Sequence, residues 1–271
     1  FFSGGISMQK NFEKIKESIS KEDIYFTTKR GIVVNADCLK TLREIPDKTV
    51  NLIVTSPPYN VGKDYDTYKD KKPYNEYLFF LKEVFRECYR VLADDGRMVI
   101  NHYFSCGDRE FRFSPLMDIN TLCMDIGFKH HGIGFWTDPT ITKLTAWGSW
   151  LSASSPYINS PYEGFLILYK NEWKRKRKGI TKITKKEFMK LSSGIWNFQP
   201  EKNRLHPAPF PASLISMIVR GLSFEEDVVL DPFAGSGTVG YVCEMNNRYW
   251  VNIEISRKYC KIIKHRTNIL F

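Results

Sequence analysis

Two short stretches carry residue types that could do chemistry. The first is "TSPPYN", Thr55 to Asn60, directly after an apolar run. Proline fixes φ near about −65° and has no N–H to donate. Pro57 and Pro58 therefore stiffen the chain where a strand would open toward solvent. The stiffened turn presents the Ser56 hydroxyl, the Pro57 carbonyl and the Tyr59 ring, which are neutral acceptors beside an aromatic face. The second stretch is "VLDPFAGSGTVG", in which Gly235, Gly237 and Gly240 spell G-x-G-x-x-G. Such spacing lets a backbone turn sharply and approach a nucleotide-like ligand closely.

Taken alone, the glycine turn fits a dinucleotide. Glu254 follows 19 residues after Gly235, where a carboxylate could take ribose hydroxyls. A nicotinamide-dependent oxidoreductase is thus one reading. Two residues point elsewhere. Asp231 stands immediately ahead of the loop, a poor neighbour for pyrophosphate and a good one for a cationic or amino-acid ligand. Phe233 puts a bulky ring where a pyrophosphate loop usually stays small. A ligand with adenine, ribose and a sulfonium centre suits an acid-flanked glycine turn, and S-adenosylmethionine is such a ligand.

The elements that must position these residues alternate between two periods. "GIVVNAD" (31–37), "VNLIVTS" (50–56) and "RMVINHYF" (97–104) read as strands, as do "GIGFW" (132–136), "GFLILYK" (164–170), "DVVLDPF" (227–233) and "RYWVNIEIS" (248–256). Residues 74–92 have helical spacing, with Leu78, Leu81, Phe85 and Tyr89 on one face, and "DDG" (94–96) closes that helix. Residues 211–223 read as another helix, and a third starts near Thr238. The alternation predicts an α/β domain: a Rossmann-like, mostly parallel sheet with helices on both faces. In such sheets ligands bind outside the carboxyl ends of the strands. Asp37, the Ser56 turn and Asp231 all fall at strand ends, so one shared sheet would bring them to one crevice.

The bulk numbers agree with one large domain or a domain with an insertion. There are 271 residues, 42% hydrophobic and 26% charged, enough to build a core without staples. Six singly spaced cysteines read as reduced thiols of a cytoplasmic protein, and the five histidines show no zinc spacing. No apolar run is long enough to span a bilayer, and no signal peptide is evident. The opening "FFSGGIS" reads as a vector-derived remnant or a frayed start, within an N-terminal extension of residues 1–30. The net charge of +10 favours a polyanionic partner. Nine Lys and Arg lie between Lys174 and Lys190. Residues 171–205 fit neither period, carry Trp173 and Trp196, and read as a small inserted basic lobe. Trp136, Trp147 and Trp150 read as core or lobe packing.

Together the two motifs resemble those of the S-adenosylmethionine-dependent DNA amino-methyltransferases. "DPFAGSGTVG" is similar to their cofactor loop, and "TSPPYN" to their catalytic tetrapeptide of Asp/Asn/Ser, Pro, Pro, aromatic. The resemblance runs from about residue 31 to the C-terminus. The catalytic motif precedes the cofactor loop, which is the order of the beta group. It implies a catalytic domain of residues 31–170 and 206–271, with a target-recognition lobe at 171–205 between the motifs. It implies S-adenosylmethionine held by Asp37 (adenine amino group), Glu254 (ribose hydroxyls), Asp231, Phe233, Gly235 and Gly237. "HPAPFP" (206–211) resembles the segment before the helix that packs on the methionine part, which adds Phe210. This segment departs from the family by having Ala208, Pro209 and Phe210 where Thr-Gln/Glu-Lys is frequent.

The implied chemistry explains the stiff turn. An exocyclic amino group is a weak nucleophile because its lone pair is delocalised into the ring. Ser56 Oγ and the Pro57 carbonyl, held by Pro57 and Pro58, would accept its hydrogens and localise that lone pair. The base must leave the helix to react, and Tyr59 would hold it by stacking. The serine favours cytosine N4 over adenine N6, because in the family Ser more often accompanies cytosine and Asp or Asn adenine. Double-stranded DNA is the implied partner, with phosphates met by Lys174, Arg175, Lys176, Arg177 and Lys178. A loop over residues 60–72 would close over the base. The resemblance also admits a homodimer and a restriction nuclease reading the same site. A DNA-binding regulator without catalysis, or an RNA or protein substrate, is a further reading of the same motifs.

Overall fold

β-Branched runs four to six residues long can be apolar throughout only if both faces of their sheet are covered. The computed structural model describes residues 4–62, 66–67, 71–107, 112–137, 148–158, 160, 162–199 and 211–268. The first half of the chain supplies α1 (Gly4–Ser18), β1 (Ile24–Thr27), β2 (Gly31–Val34), α2 (Cys38–Glu44), β3 (Val50–Thr55), α3 (Tyr74–Val91), β4 (Leu92–Tyr103), β5 (Cys106–Gly107), β6 (Arg112–Phe113) and α4 (Pro115–Ile126). The second half supplies β7 (Lys129–Thr137), β8 (Tyr162–Tyr169), α5 (Lys185–Ser193), β9 (Ile195–Asn197), α6 (Ala212–Leu222), β10 (Val228–Asp231), α7 (Thr238–Met245), β11 (Tyr249–Ile253) and α8 (Arg257–Asn268).

Nine of these strands form one sheet in the order β1-β2-β11-β10-β3-β4-β8-β7-β9. The run from β2 to β4 is parallel throughout. β1 at one side and β8 at the other pair antiparallel with it. Alternation along each strand feeds two cores. Val228 and Leu230 join Phe12, Leu42, Phe85 and Ile119 under α1–α4, whereas Val229 joins Ile218, Val239 and Ile263 under α6–α8. No helix among the described residues is long and apolar enough to cross a membrane.

Several expectations change in detail. β2 stops at Val34 rather than 37, because Asp37 leaves the sheet to cap α2, accepting from the Lys40 N–H at 3.1 Å. Residues 94–96, expected to close a helix running to 92, are strand from Leu92 on: Leu92 pairs with Val50 and the register shifts before Arg97 meets Leu52. Gly4 to Ser7 belong to α1, and Phe12 of that helix is buried, its ring stacked on Tyr249 at 4.8 Å.

The inserted lobe is revised most. Over 171–199 the chain does not leave the domain. β9 pairs with β7 and extends the sheet, and Trp196 is buried against Phe165. Trp173 stacks on His131 and receives Arg97 over its ring. Aromatic burial outweighs the polarity of the run. Residues 200–205 lie outside the described residues, as does Trp147. Trp136 is core, while Trp150 is 67% exposed and packs no core.

Candidate active site

Because β2, β11, β10 and β3 run parallel as neighbours, their carboxyl ends share one edge of the sheet. The residues at or just after those ends are Asp37, Glu254, Asp231 and Ser56. A cavity of about 320 Å³ opens there, lined among others by Asp37, Ser56, Asp231, Phe233, Gly235 and Glu254. One hydrogen bond ties the two motifs together: Thr55 Oγ1 donates to Asp231 Oδ1 at 2.7 Å, across 176 residues of chain.

The glycine turn is built by backbone that only glycine adopts easily. Gly235 has φ +51° and Gly237 φ +76°. At Gly237 a Cβ would also stand 2.7 Å from the Ile263 side chain, and at Gly240 one would meet Asn252 and Trp250. Arg266 of α8, which no motif marks, donates to the Ser236 carbonyl and to the Ser236 and Thr238 hydroxyls, each at 3.1 Å.

The loop amides decide between the two ligand readings. A pyrophosphate needs N–H groups pointing at it. Here the Phe233 amide donates to Asp231 Oδ1, Ala234 to the Ile253 carbonyl, Gly235 to Glu254 Oε2 and Gly237 to the Ala234 carbonyl. What the cavity presents instead is carboxylate. Asp231 is 2% exposed, and burial pushes its carboxyl up to about 7, against the pull of its bonds from Thr55 and Phe233. Glu254 is likewise pushed up to about 7 by burial, although the Ser256 and Gly235 amides favour its ionised form. Asp37 is exposed at the cavity edge. This donor set fits a cation with ribose hydroxyls and an adenine amino group, as S-adenosylmethionine has, and it repels a pyrophosphate.

The described part of 60–72 lies against the same cavity. Asn60 bonds both the amide and the carbonyl of Lys72, at 2.7 and 2.9 Å. Asp66 accepts from Ser256 Oγ at 2.6 Å, and Asp66, Thr67 and Lys72 line the wall. Residues 63–65 and 68–70 lie outside the described residues, as do 206–210, which include Phe210.

Around the turn at 56–59, Ser56 and Pro58 line the cavity, while Pro57 and Tyr59 are buried. The open stacking face expected of Tyr59 is corrected here. Tyr59 is 4% exposed, with its ring against His102 and Tyr103 at 4.6 and 4.5 Å between centroids. Its hydroxyl accepts from Ser56 Oγ (3.0 Å) and lies 2.5 Å from Asn101 Oδ1 and 2.9 Å from Glu163 Oε2. Burial first, and then the charge of Glu163, hold this phenol well above its usual range. Tyr77 donates to the Pro58 carbonyl at 2.8 Å and meets His102 Nε2 at 2.9 Å, which fixes the turn from below. Neither Asn101 nor Glu163 belongs to a motif. Only their register beside the ends of β4 and β8 brings them in.

The basic run splits by side-chain direction. Arg175 and Arg177 point inward and pair with the fully buried Asp227 at 2.9 and 2.6 Å. Their expected phosphate role is therefore corrected to a structural one. Lys174, Lys176 and Lys178 are exposed, Lys176 reaching Glu172 at 2.8 Å. All six cysteines are buried. Among the described residues no cluster could hold a metal ion.

Comparison with known proteins gives a consistent picture. The N6/N4 methyltransferase family model, described as DNA methylase, matches residues 50–265. The Type II methyltransferase M.MjaVI of Methanocaldococcus jannaschii is 38% identical over 173 residues, spanning 64% of this chain and 87% of its own. The DNA adenine methyltransferase YhdJ of Escherichia coli K12 is 26% identical over 275 residues, 92% of this chain and 86% of its own. Among solved structures, TTHA0409 of Thermus thermophilus, complexed with S-adenosyl-L-methionine, superposes with a TM-score of 0.70 at 28% identity, covering 89% of this chain and 94% of that one.

Proposed function

The chain belongs to the N6/N4 DNA methylase family, and from that premise we propose that it methylates cytosine N4 within a specific duplex DNA sequence, with S-adenosylmethionine as methyl donor. The observation that carries the reading is that Ser56 lines the same cavity as Asp231 and Glu254. The acceptor for an amino group and the carboxylates for a cation thus face one space.

When bound, S-adenosylmethionine supplies an electrophilic methyl group on a sulfonium centre. The residues of this chain do the rest. Asp231 and Glu254 balance positive charge, Glu254 takes ribose hydroxyls and Asp37 the adenine amino group. Phe233, Gly235 and Gly237 form the wall beside them, and Phe210 joins the set on its sequence alone. Ser56 Oγ gives its proton to Tyr59 and lines the cavity, so it serves there as an acceptor. With the Pro57 carbonyl it orients a flipped amino group, and Pro57 and Pro58 keep both acceptors from relaxing away. Positioning of this kind can supply about 7–11 kcal/mol in favourable cases.

Cytosine is preferred because position 56 holds the neutral serine rather than Asp or Asn. The similarity to YhdJ, named as a DNA adenine methyltransferase, favours adenine N6 as a second reading. The Type II name of M.MjaVI favours a nuclease partner reading the same DNA word. The test is transfer of labelled methyl groups to varied duplex DNA, followed by digestion to nucleosides and mass analysis. N4-methylcytosine is expected. N6-methyladenine would select the second reading, and no label in either base would sink both.

A further inference from the structure

Methylation of an amino group leaves one hydrogen too many on the nitrogen. A proton must therefore go somewhere. Ser56 is the side chain beside the reacting space in the reading above, and a hydroxyl cannot keep an extra proton near neutral pH. It can only pass one on.

The structure shows where it would pass. Ser56 Oγ donates to Tyr59 OH at 3.0 Å, and Tyr59 OH lies 2.9 Å from Glu163 Oε2. Asn101 Oδ1 stands 2.5 Å from the same phenol, and its Nδ2 donates to the Gly164 carbonyl at 3.3 Å. That bond turns the amide oxygen toward Tyr59, where it and Glu163 share the single phenol proton as acceptors; of the two, only the carboxylate can keep that proton. Glu163 arrives by topology: β8 runs antiparallel to β4, pairing Tyr103 with Glu163 and His102 with Gly164. Asp231, the carboxylate nearest the other motif, has its Oδ1 engaged by Thr55 and the Phe233 amide. His102 Nε2 faces Tyr77 rather than Tyr59 OH.

Resting on the amino-methyltransferase reading, we infer that Glu163 is the terminal proton acceptor of the reaction, reached from the target nitrogen through Ser56 and Tyr59. The nitrogen forms its bond to carbon as the sulfur–carbon bond breaks, the bonding pair staying on sulfur. The nitrogen's proton moves to Ser56 Oγ as the serine proton moves to Tyr59 OH and the phenol proton to Glu163 Oε2. The net change in the protein is one carboxylate converted to a carboxylic acid, which later yields its proton to water. The buried phenol, resistant to ionisation, transmits the proton and does not store it. Tyr59 thereby acts through its hydroxyl, its ring being packed on His102 and Tyr103, and Glu163 is a proton-accepting residue that does not itself touch the base.

Two variants test this. Tyr59→Phe keeps the ring and removes the relay, and Glu163→Gln keeps the shape and removes the basic site. Each should lower single-turnover methyl transfer by about 10²-fold or more, while affinity for the donor and for DNA stays within about twofold of wild type. Stacking alone predicts near-normal rates for Tyr59→Phe, and a merely structural role predicts lost binding. Either result overturns the inference. A second readout needs neither donor nor DNA. The infrared difference between wild type and Glu163→Gln isolates the Glu163 carboxylate stretch, and Tyr59→Phe should shift that band. An unshifted band removes the relay whatever the transfer rates of the two variants. Wild-type protein that labels no DNA would instead sink the parent reading, with the infrared band still deciding whether Tyr59 and Glu163 are coupled.

Discussion

Asp231 and Glu254 hold carboxyl groups where burial favours the protonated form, each near about 7. In the unfolded chain they ionise at ordinary carboxylate values, about 4. Between about pH 4 and 7 the folded protein therefore binds protons that the unfolded chain has released. By linkage, stability of the donor-free protein falls as pH rises through that window and levels off above it. Thermal melts across pH 4–8 should show that decline, and Asp231→Asn should flatten it. A cationic ligand reverses the preference. Affinity for S-adenosylmethionine should rise from pH 6 to 8 with proton release, read by calorimetry in buffers of different ionisation enthalpy. Affinity independent of pH would remove the carboxylates from the cation's surroundings. At this scale the gathering of Asp37, Ser56, Asp231 and Glu254 around one cavity was legible, because each stands at or just after the end of an apolar run. Glu163, Asn101 and Arg266 were not. They reach the site through strand register and helix packing, which no local pattern encodes.

Among elements, the turn into α7 is the most constrained. Gly237→Ala adds a Cβ at φ +76° and into Ile263, so it should cost about 1–3 kcal/mol and displace the loop. Denaturant melts would show the loss, and donor binding should fall with it. A mutant with wild-type stability would mean the turn relaxes easily. The strand that follows α6 begins beside another vulnerable element, the Asp227 clamp. Asp227→Ala leaves Arg175 and Arg177 with their buried partner removed, an outcome worth about 3–5 kcal/mol of lost stability. The sequence showed five consecutive basic residues there. It could not show the alternation of inward Arg and outward Lys, because the partner lies some fifty residues further on. Strand positions were legible from their apolar runs. The end of β2 was misjudged because Asp37 satisfies a helix amide instead of continuing the ladder.

For the whole molecule, the split of the basic run predicts two separable phenotypes. Lys174, Lys176 and Lys178 changed together to Gln should leave the melting temperature near wild type. The dependence of log K for DNA on log salt should become shallower by about 0.9 for each phosphate that is no longer neutralised. Arg175 and Arg177 changed to Gln should do the reverse, lowering the melt with little change in salt slope. Identical slopes for the lysine variant and wild type would move the DNA-binding surface elsewhere. The fold class was legible because alternating periods leave few architectures open. The joining of β9 to the sheet was not, since the burial of Trp196 and the stacking of Trp173 depend on partners distant in sequence.

The placement of β10 between β3 and β11 bears on how the molecule comes into being. A central slot of the sheet is filled by a strand made long after its neighbour β3. Until Val228 to Asp231 emerge from the ribosome, β3 has a bare flank and the Ser56 turn has no Asp231 beside it. Polypeptides that terminate early would be sticky, edge-exposed fragments and catalytically inert, so a cell making this protein meets either the finished enzyme or debris for its proteases.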